Sequence, residues 1–375
     1  MVARLSAVLV LILLFSRTVP AIDSPAQTTK PPVPTHVDGI EIEQIKGWFA
    51  NIYPWPYLPK LSTVYPVRSL WGKPNDYQSA ADIVSQNELL EHYGSGADVL
   101  EYSPNPDLPD HNQWLRTYFG NGSRPFFIAY EHVYGTRLVP VDGVKDMSVR
   151  YNRQAFRNDI DAIVRNVVIP FHGRYVTYQG RAVIYLWAAG AMQGDLASLL
   201  NEIRAEYPVA FIGGVGLMRL TTDPQVLRNL SALDGFMEYG LYAPSYEEMI
   251  ATYAHNSGQL RRAIRGFQAA TGRTYLFIPT FQAAFDKTKY AGGEGNPPMY
   301  PKSRGEVIHH AERIKEETGT VFDPVGPFVV FSELFEGAAV IESQCVSDTL
   351  DKRDRYVGCG TGRLDILHHF FGGDH

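Results

Sequence analysis

The amino-acid sequence predicts an α/β chain folded as a single (βα)8 barrel, the TIM-barrel arrangement, closed by a C-terminal helix. Three observations predict it. Eight short apolar runs of strand type recur from about Ile40 onward. Most are continuous and not alternating, as strands covered on both faces should be. Helical patterns fill the intervals between them.

In order, the strand runs are Trp48 to Tyr53, Ala97 to Tyr102, Pro125 to Tyr130, Ala182 to Trp187, Val209 to Val215, Gly235 to Tyr239, Tyr275 to Thr280 and Pro327 to Phe331. The clearest helix covers Gln154 to Val168, where Phe156, Ile160, Ile163, Val164 and Val167 share one face at a 3.6-residue period. Ser303 and Glu306 form a capping box that opens another helix, closed at Gly319. A last helical stretch runs from Arg363 to Phe370. Neither an internal repeat nor a second compositional regime interrupts the pattern, so residues 40–375 are expected to form one domain.

Two segments precede it. Residues 1–21 read as a secretory signal: Arg4 supplies the positive start, Leu5 to Phe15 the apolar run, and Val19-Pro20-Ala21 a small-residue cleavage site. The expectation is export, with cleavage after Ala21. That run is too short to span a bilayer, and no later segment reaches the roughly 18 apolar residues a membrane helix needs. No membrane span is therefore expected in the mature chain. Residues 22–39, rich in Pro, Thr and Ser, read as a flexible leader. The two cysteines, Cys345 and Cys359, are expected to pair as a disulfide in an oxidising compartment, the alternative being two buried thiols. A closed loop of that size contributes on the order of 3 kcal/mol. Asn121-Gly122-Ser123 and Asn229-Leu230-Ser231 are glycosylation sequons where the host is eukaryotic.

Across its 375 residues the chain is 45% hydrophobic and 20% charged, the profile of a globular protein. A net charge of −6 without a basic stripe argues against a nucleic-acid partner. The 22 Tyr, 19 Phe and 5 Trp suit first of all a packed core, and also a cleft that stacks on sugar faces.

In a (βα)8 barrel the chemistry sits at the C-terminal ends of the strands, and that rule selects the candidates. Glu131, His132 and Tyr134 follow the third run; Trp187 ends the fourth; Glu238, Tyr239 and Tyr242 close the sixth. Gln282 and the Gly-rich stretch Ala291 to Asn296 follow the seventh, and Ser332, Glu333 and Glu336 the eighth. The segment Phe328-Val329-Val330-Phe331-Ser332-Glu333-Leu334-Phe335-Glu336-Gly337 delivers two carboxylates to that face, with Gly337 permitting the turn. Glycoside hydrolysis needs such a pair, one group to protonate the leaving oxygen and one to assist attack. Close carboxylates also split their pKa values, leaving one a proton donor. The plainer reading is that one of them caps a helix or pairs with an arginine. Glu131 suits either contact with sugar hydroxyls or a structural ion pair, Glu238 either the cleft lining or a pair with an arginine, and Trp55 and Trp187 either a sugar platform or the barrel core.

Some patterns carry nothing. Gly213-Gly214-Val215-Gly216 lacks the spacing of a dinucleotide loop. His309-His310 and His368-His369 are adjacent on predicted helices, diverge, and have no ligand partner at metal spacing. Neither a metal nor a cofactor is expected.

The segment Ser332-Glu333-Leu334-Phe335-Glu336-Gly337 resembles the Asn-Glu-Trp-His-Glu-Gly signature near the C-terminus of glycoside hydrolase family 99, the endo-α-mannosidase-like barrels, and matches at both Glu and the Gly. Phe171 to Tyr185, with Tyr175 and the Gly180-Arg181-Ala182-Val183 turn, is similar to that family's passage into its fourth strand. Tyr53-Pro54-Trp55 resembles its first-strand motif, and Glu131 sits where a substrate-contacting Glu follows the third. The resemblance covers most of the mature chain. It implies a secreted, retaining hydrolase of α-mannosides or related glycans, its partner an oligosaccharide or polysaccharide. Glu333 would draw the proton from the sugar's own 2-hydroxyl, which attacks the anomeric carbon to give a 1,2-anhydro intermediate. Glu336 would protonate the departing oxygen and then activate water. Glu131, Tyr134, Tyr53, Trp55, Trp187, Glu238, Tyr239 and Tyr242 are the expected substrate contacts. Ser332, Leu334 and Phe335 depart from the motif and remove polar and stacking groups beside the carboxylates, which opens two alternatives. One is a glycosidase with Glu131 as acid and Glu333 as direct nucleophile; the other is a carbohydrate-binding barrel without catalysis.

Overall fold

A computed structural model describes residues 32–52, 80–102, 109–131, 138, 145–214, 223–237, 241, 243–285, 299–318, 331–334 and 361–373. The barrel strands are β1 (Trp48–Ile52), β2 (Ser95–Tyr102), β3 (Phe126–Tyr130), β4 (Arg181–Leu186), β5 (Val209–Gly213), β6 (Gly235–Met237), β7 (Leu276–Ile278) and β8 (Phe331–Leu334). Each is followed by a helix: α1 (Ala80–His92), α2 (Pro109–Asn121), α3 (Arg150–Ile163), α4 (Leu196–Glu206), α5 (Pro224–Ser231), α6 (Tyr246–Thr271), α7 (Arg304–Thr318) and α8 (Gly362–Phe371). All pairings around the barrel are parallel and join neighbours in sequence. Pro279 interrupts the seventh strand. Leu276–Ile278 pairs with β6, and the continuation Thr280–Phe281 pairs with β8, which closes the ring. The (βα)8 architecture expected from the sequence is the one observed.

Seven of the strands begin within a residue or two of the apolar runs that predict them. The eighth is described only over Phe331–Leu334, reaching three residues past the end of the run Pro327 to Phe331, whose first four residues lie outside the described ones. Its register against β1 pairs Phe331 with Phe49, Ser332 with Ala50, Glu333 with Asn51 and Leu334 with Ile52. Ser332 and Glu333 therefore lie within the strand and not in the loop after it. A carboxylate in a pleated ladder at the mouth reads, in one dimension, as the end of the apolar run.

Alternation sorts the strand residues into two faces. Asp98 and Phe126 meet α2 through Tyr118 and Phe119, and Tyr130 meets α3 through Asp159 and Phe156, so these face the helices. Phe49 and Phe127, on the other face, touch edge to face at 5.3 Å inside the barrel. Asn51, Val99, Glu101, Ala129 and Tyr185 share that inward face.

Local chemistry explains the joints. Ser303 caps α7 by accepting from the Glu306 N–H at 3.3 Å, while the Glu306 carboxylate accepts from the Lys302 N–H at 2.6 Å. Ser245 and Asp223 cap α6 and α5 in the same manner. Gln179 and Gly180, at φ 54° and 70°, turn the hairpin between Val176–Tyr178 and β4. Their N–H groups donate to the Glu41 carboxylate at 2.9 and 2.7 Å. Val37, at the end of the Pro/Thr-rich leader, is buried and donates to the Gly180 carbonyl at 3.0 Å. Among the described residues no helix is long and apolar enough to cross a membrane.

One core residue gives the fold a pH dependence. His310 on α7 is fully buried, stacked on Phe281 at 5.4 Å and met edge-on by Tyr253. Its Nε2 accepts the Gln282 N–H at 3.3 Å. Burial, with a smaller contribution from His309, pushes its pKa down to about 3. The unfolded chain takes up a proton near 6.5 where the folded one does not, so stability is complete above 6.5 and falls as pH drops toward 3. The slope is at most about 1.4 kcal/mol per pH unit from this residue. His310→Gln should flatten the difference between unfolding free energies measured by urea titration at pH 7 and pH 5.

Candidate active site

The C-terminal ends of β1, β2, β3, β4 and β8 bring the polar side chains together. Glu101 is the penultimate residue of β2 and is 1% exposed; Glu131 follows β3, 5% exposed, its N–H donating to the Tyr102 carbonyl so that the ladder continues one residue past the strand. Trp187, partly buried, extends β4 likewise, its N–H donating to the Tyr130 carbonyl at 3.2 Å. Glu333 holds the β8 position in register with Asn51.

These positions fall into levels. In an eight-stranded barrel the register climbs by about one residue per strand, so alternate strands contribute side chains at one height. Following the pairings round the barrel places Glu333 on β8, Glu101 on β2 and Trp187 beyond β4 at one level. One step below lie Asn51, Ala129, Gly214 and Thr280; one step above lie Glu131 and Gln282. The lower level is made of small residues. A Cβ on Gly214 would stand 2.5 Å from the Tyr185 hydroxyl, so any larger residue there would force that buried ring to shift. Close packing accounts for that part of Gly213-Gly214-Val215-Gly216.

Above the mouth, Lys145 and Asp146 form a short strand paired with Met192 and Gln193. Burial holds the Lys145 amine below its ordinary value, opposed by the charge of the Glu131 carboxylate, which lies within electrostatic reach. Directly after Trp187, Ala188 adopts a left-handed conformation (φ 47°, ψ 42°) that a side chain disfavours. Backbone held in this way clusters at functional sites. Among the described residues no group of three His, Cys, Asp or Glu is arranged to hold a metal ion.

Of the sequence-selected residues, the structure thus places Glu131, Trp187, Gln282 and the β8 backbone at Glu333 around one mouth. Gln282 is 1% exposed, its Oε1 accepting from the Leu241 N–H at 3.3 Å and its Nε2 donating to the Ala284 carbonyl at 2.8 Å. Tyr53, Trp55, His132, Tyr134, Glu238, Tyr239, Tyr242, Glu336 and the cysteines Cys345 and Cys359 lie outside the described residues. Three residues escaped the sequence analysis: Asn51, Glu101 and Lys145. The first two stand inside apolar runs, and a search of the residues after each strand passes over them. A charged or amide side chain near the C-terminal end of such a run was the available signal.

A parallel eight-stranded barrel whose mouth carries buried carboxylates defines the class to which the chain is compared. No family model matches the sequence, and no curated protein does. Solved structures do match in fold. A glycoside hydrolase family 99 endo-α-mannosidase from Bacteroides thetaiotaomicron, in complex with bis-tris-propane, superposes with a TM-score of 0.61 at 14% identity, covering 90% of this chain and 96% of that one. A glycoside hydrolase-like protein matches with a TM-score of 0.59 at 15% identity, over 91% and 96%. A further structure of the B. thetaiotaomicron endo-α-mannosidase matches with a TM-score of 0.56 at 13% identity, over 81% and 82%. The fold is thus that of the family 99 barrels which the β8 segment resembles in sequence.

Proposed function

We propose that the chain is a secreted glycoside hydrolase acting with retention on α-mannosides or related glycans. The observation that carries this reading is the register position of Glu333 at the C-terminal end of β8, level with buried Glu101 and one step below Glu131, in a barrel shared with glycoside hydrolases. In the proposed reaction Glu333 takes the proton of the sugar's 2-hydroxyl as that oxygen attacks the anomeric carbon. Glu336 gives a proton to the departing oxygen. Water, deprotonated by Glu336, then opens the 1,2-anhydro intermediate, and the 2-hydroxyl recovers its proton. Mannose suits this course because its 2-hydroxyl is axial.

Glu131 is assigned to binding. A carboxylate that feels the Lys145 charge is suited to accepting hydrogen bonds from sugar hydroxyls, which favours this role over that of leaving-group acid. Trp187, partly exposed at the same mouth, supplies an apolar face for a ring. The signal-like residues 1–21 support export.

The test is glycan release by the purified chain from Ile22 onward, against a panel of α-mannosyl oligosaccharides and polysaccharides. Release of shorter glycans with retained anomeric configuration is expected. Binding to a panel member without any release would overturn the hydrolase reading in favour of a carbohydrate-binding barrel.

A further inference from the structure

Asn51 sits where a polar side chain is expensive. It is 1% exposed, on the inward face of β1, and no described residue gives its Oδ1 or Nδ2 a hydrogen-bond partner. A buried amide left in that condition costs the fold about 1–3 kcal/mol. An apolar side chain of the same shape, such as leucine, would avoid the penalty. Natural barrels fill their interiors with branched apolar residues, and the position directly across the ladder on β2 is one of these, Val99. Asn51 breaks that pattern at a particular place. Its other ladder neighbour is Glu333, and Glu101 stands at the Glu333 level one strand further on. The amide therefore lies one step beneath and between two carboxylate positions. The rest of its own level is the small residues Ala129, Gly214 and Thr280, with the Tyr185 hydroxyl packed where a Gly214 side chain would stand.

We propose that Asn51 is a substrate-binding residue: its carboxamide, facing up between the Glu101 and Glu333 positions, takes hydroxyls of the sugar ring held at the point of cleavage. This rests on the glycosidase reading above and adds to it the group that reads the ring. The amide is matched to that ligand. It offers two N–H donors and one carbonyl acceptor, and a sugar hydroxyl both gives and takes a hydrogen bond. It carries no charge, so it adds nothing to the repulsion among neighbouring carboxylates. A site whose buried polar atoms find partners only in the ligand discriminates strongly against rings lacking the matching hydroxyl.

The test sets stability against binding in Asn51→Leu, nearly isosteric with Asn, and in Asn51→Ala, which adds no bulk. The expected results for Asn51→Leu are a melting temperature of the free protein at or above wild type, by about 2 °C, and kcat/KM on α-mannosyl oligosaccharides lowered at least tenfold. Asn51→Ala should lose kcat/KM by a similar factor. A lowered melting temperature with unchanged kcat/KM in both variants would make Asn51 a structural residue and end the proposal. Thermal shift by the same oligosaccharides separates this inference from the one beneath it. Wild type that binds but releases nothing, with binding lost in Asn51→Leu, removes the hydrolase reading and keeps the Asn51 assignment. Wild type that neither binds nor cleaves any panel member overturns both.

Discussion

Asp234→Ala should destabilise the chain by about 3–5 kcal/mol, because it strips the counter-charge from three guanidinium groups at once. Asp234 immediately precedes β6, at the end of the barrel opposite the mouth, and is 1% exposed. Its Oδ1 accepts from Arg181 at 2.9 Å and Arg273 at 2.8 Å; its Oδ2 accepts from Arg204 at 2.6 Å and from the Phe211 N–H at 2.8 Å. One carboxylate thus ties the start of β4, helix α4, strand β5 and the passage from α6 into β7. Burial alone would push its pKa up, but the Arg204 and Arg181 charges and the Phe211 N–H outweigh burial and hold it below its ordinary value. Arg204 tells the other half: burial is the larger influence there and holds it below its usual value despite the partner. Both directions describe a pair taken out of water, whose removal from one side leaves a desolvated cation behind.

The exposed partners temper the loss. Arg273 is about one-third exposed, so its share is screened, while Arg204 at 15% carries most of the penalty. Asp234→Asn should also lose stability, keeping one acceptor oxygen for two of the donors but turning an NH2 toward the other two. Urea unfolding of the three proteins at pH 7 measures both losses. The wild-type contribution is present above the unfolded carboxyl value of 3.8 and is lost as pH falls through the lower folded value. An alanine variant within 1 kcal/mol of wild type would show that the three arginines are satisfied by water instead.

None of this knot was legible in the sequence, and the reason is physical. The partners of Asp234 lie 53, 30 and 39 residues away, and no local pattern records a contact made by closure of a barrel. What was legible is what short-range physics dictates. Buried parallel strands must be apolar on both faces, so Phe126-Phe127-Ile128-Ala129-Tyr130 announces itself. Helix starts need acceptors for free N–H groups, so Ser303 and Glu306 mark α7. Local pattern misleads where polar residues stand inside a barrel strand. A glutamate within the β8 ladder looked like the residue after a strand, and Glu101 and Asn51 vanished inside runs otherwise apolar. Lys145 belongs to a two-residue strand too short to carry any periodicity. Polar residues in barrel interiors break the rule that finds the strands, and for that reason they are where the chemistry should be sought.

Glu333→Gln and Glu336→Gln should each lower kcat on α-mannosyl substrates by about 10²- to 10⁴-fold, the usual worth of a positioned acid or base. Glutamine keeps the size and one acceptor of glutamate, so the melting temperature should stay near wild type, and the loss reads as chemistry and not as unfolding. The two variants should then part company. In the proposed reaction Glu336 assists departure of the leaving oxygen, a service that matters less as the leaving group becomes more acidic. Glu336→Gln should therefore recover part of its rate in the first step on an aryl α-mannoside with an acidic phenol. Glu333→Gln should stay deficient on both substrates, because deprotonation of the 2-hydroxyl is needed whatever departs. A 2-deoxy substrate supplies the sharper control. Without the 2-hydroxyl there is no internal nucleophile, so wild type should turn it over poorly and Glu333→Gln should do no worse. Were Glu333 instead a direct nucleophile, the wild type would retain turnover of the 2-deoxy sugar through a glycosyl-enzyme ester detectable by mass as a covalent adduct. Equal glycan binding by wild type and both variants, with no release by any of the three, would leave only the carbohydrate-binding barrel.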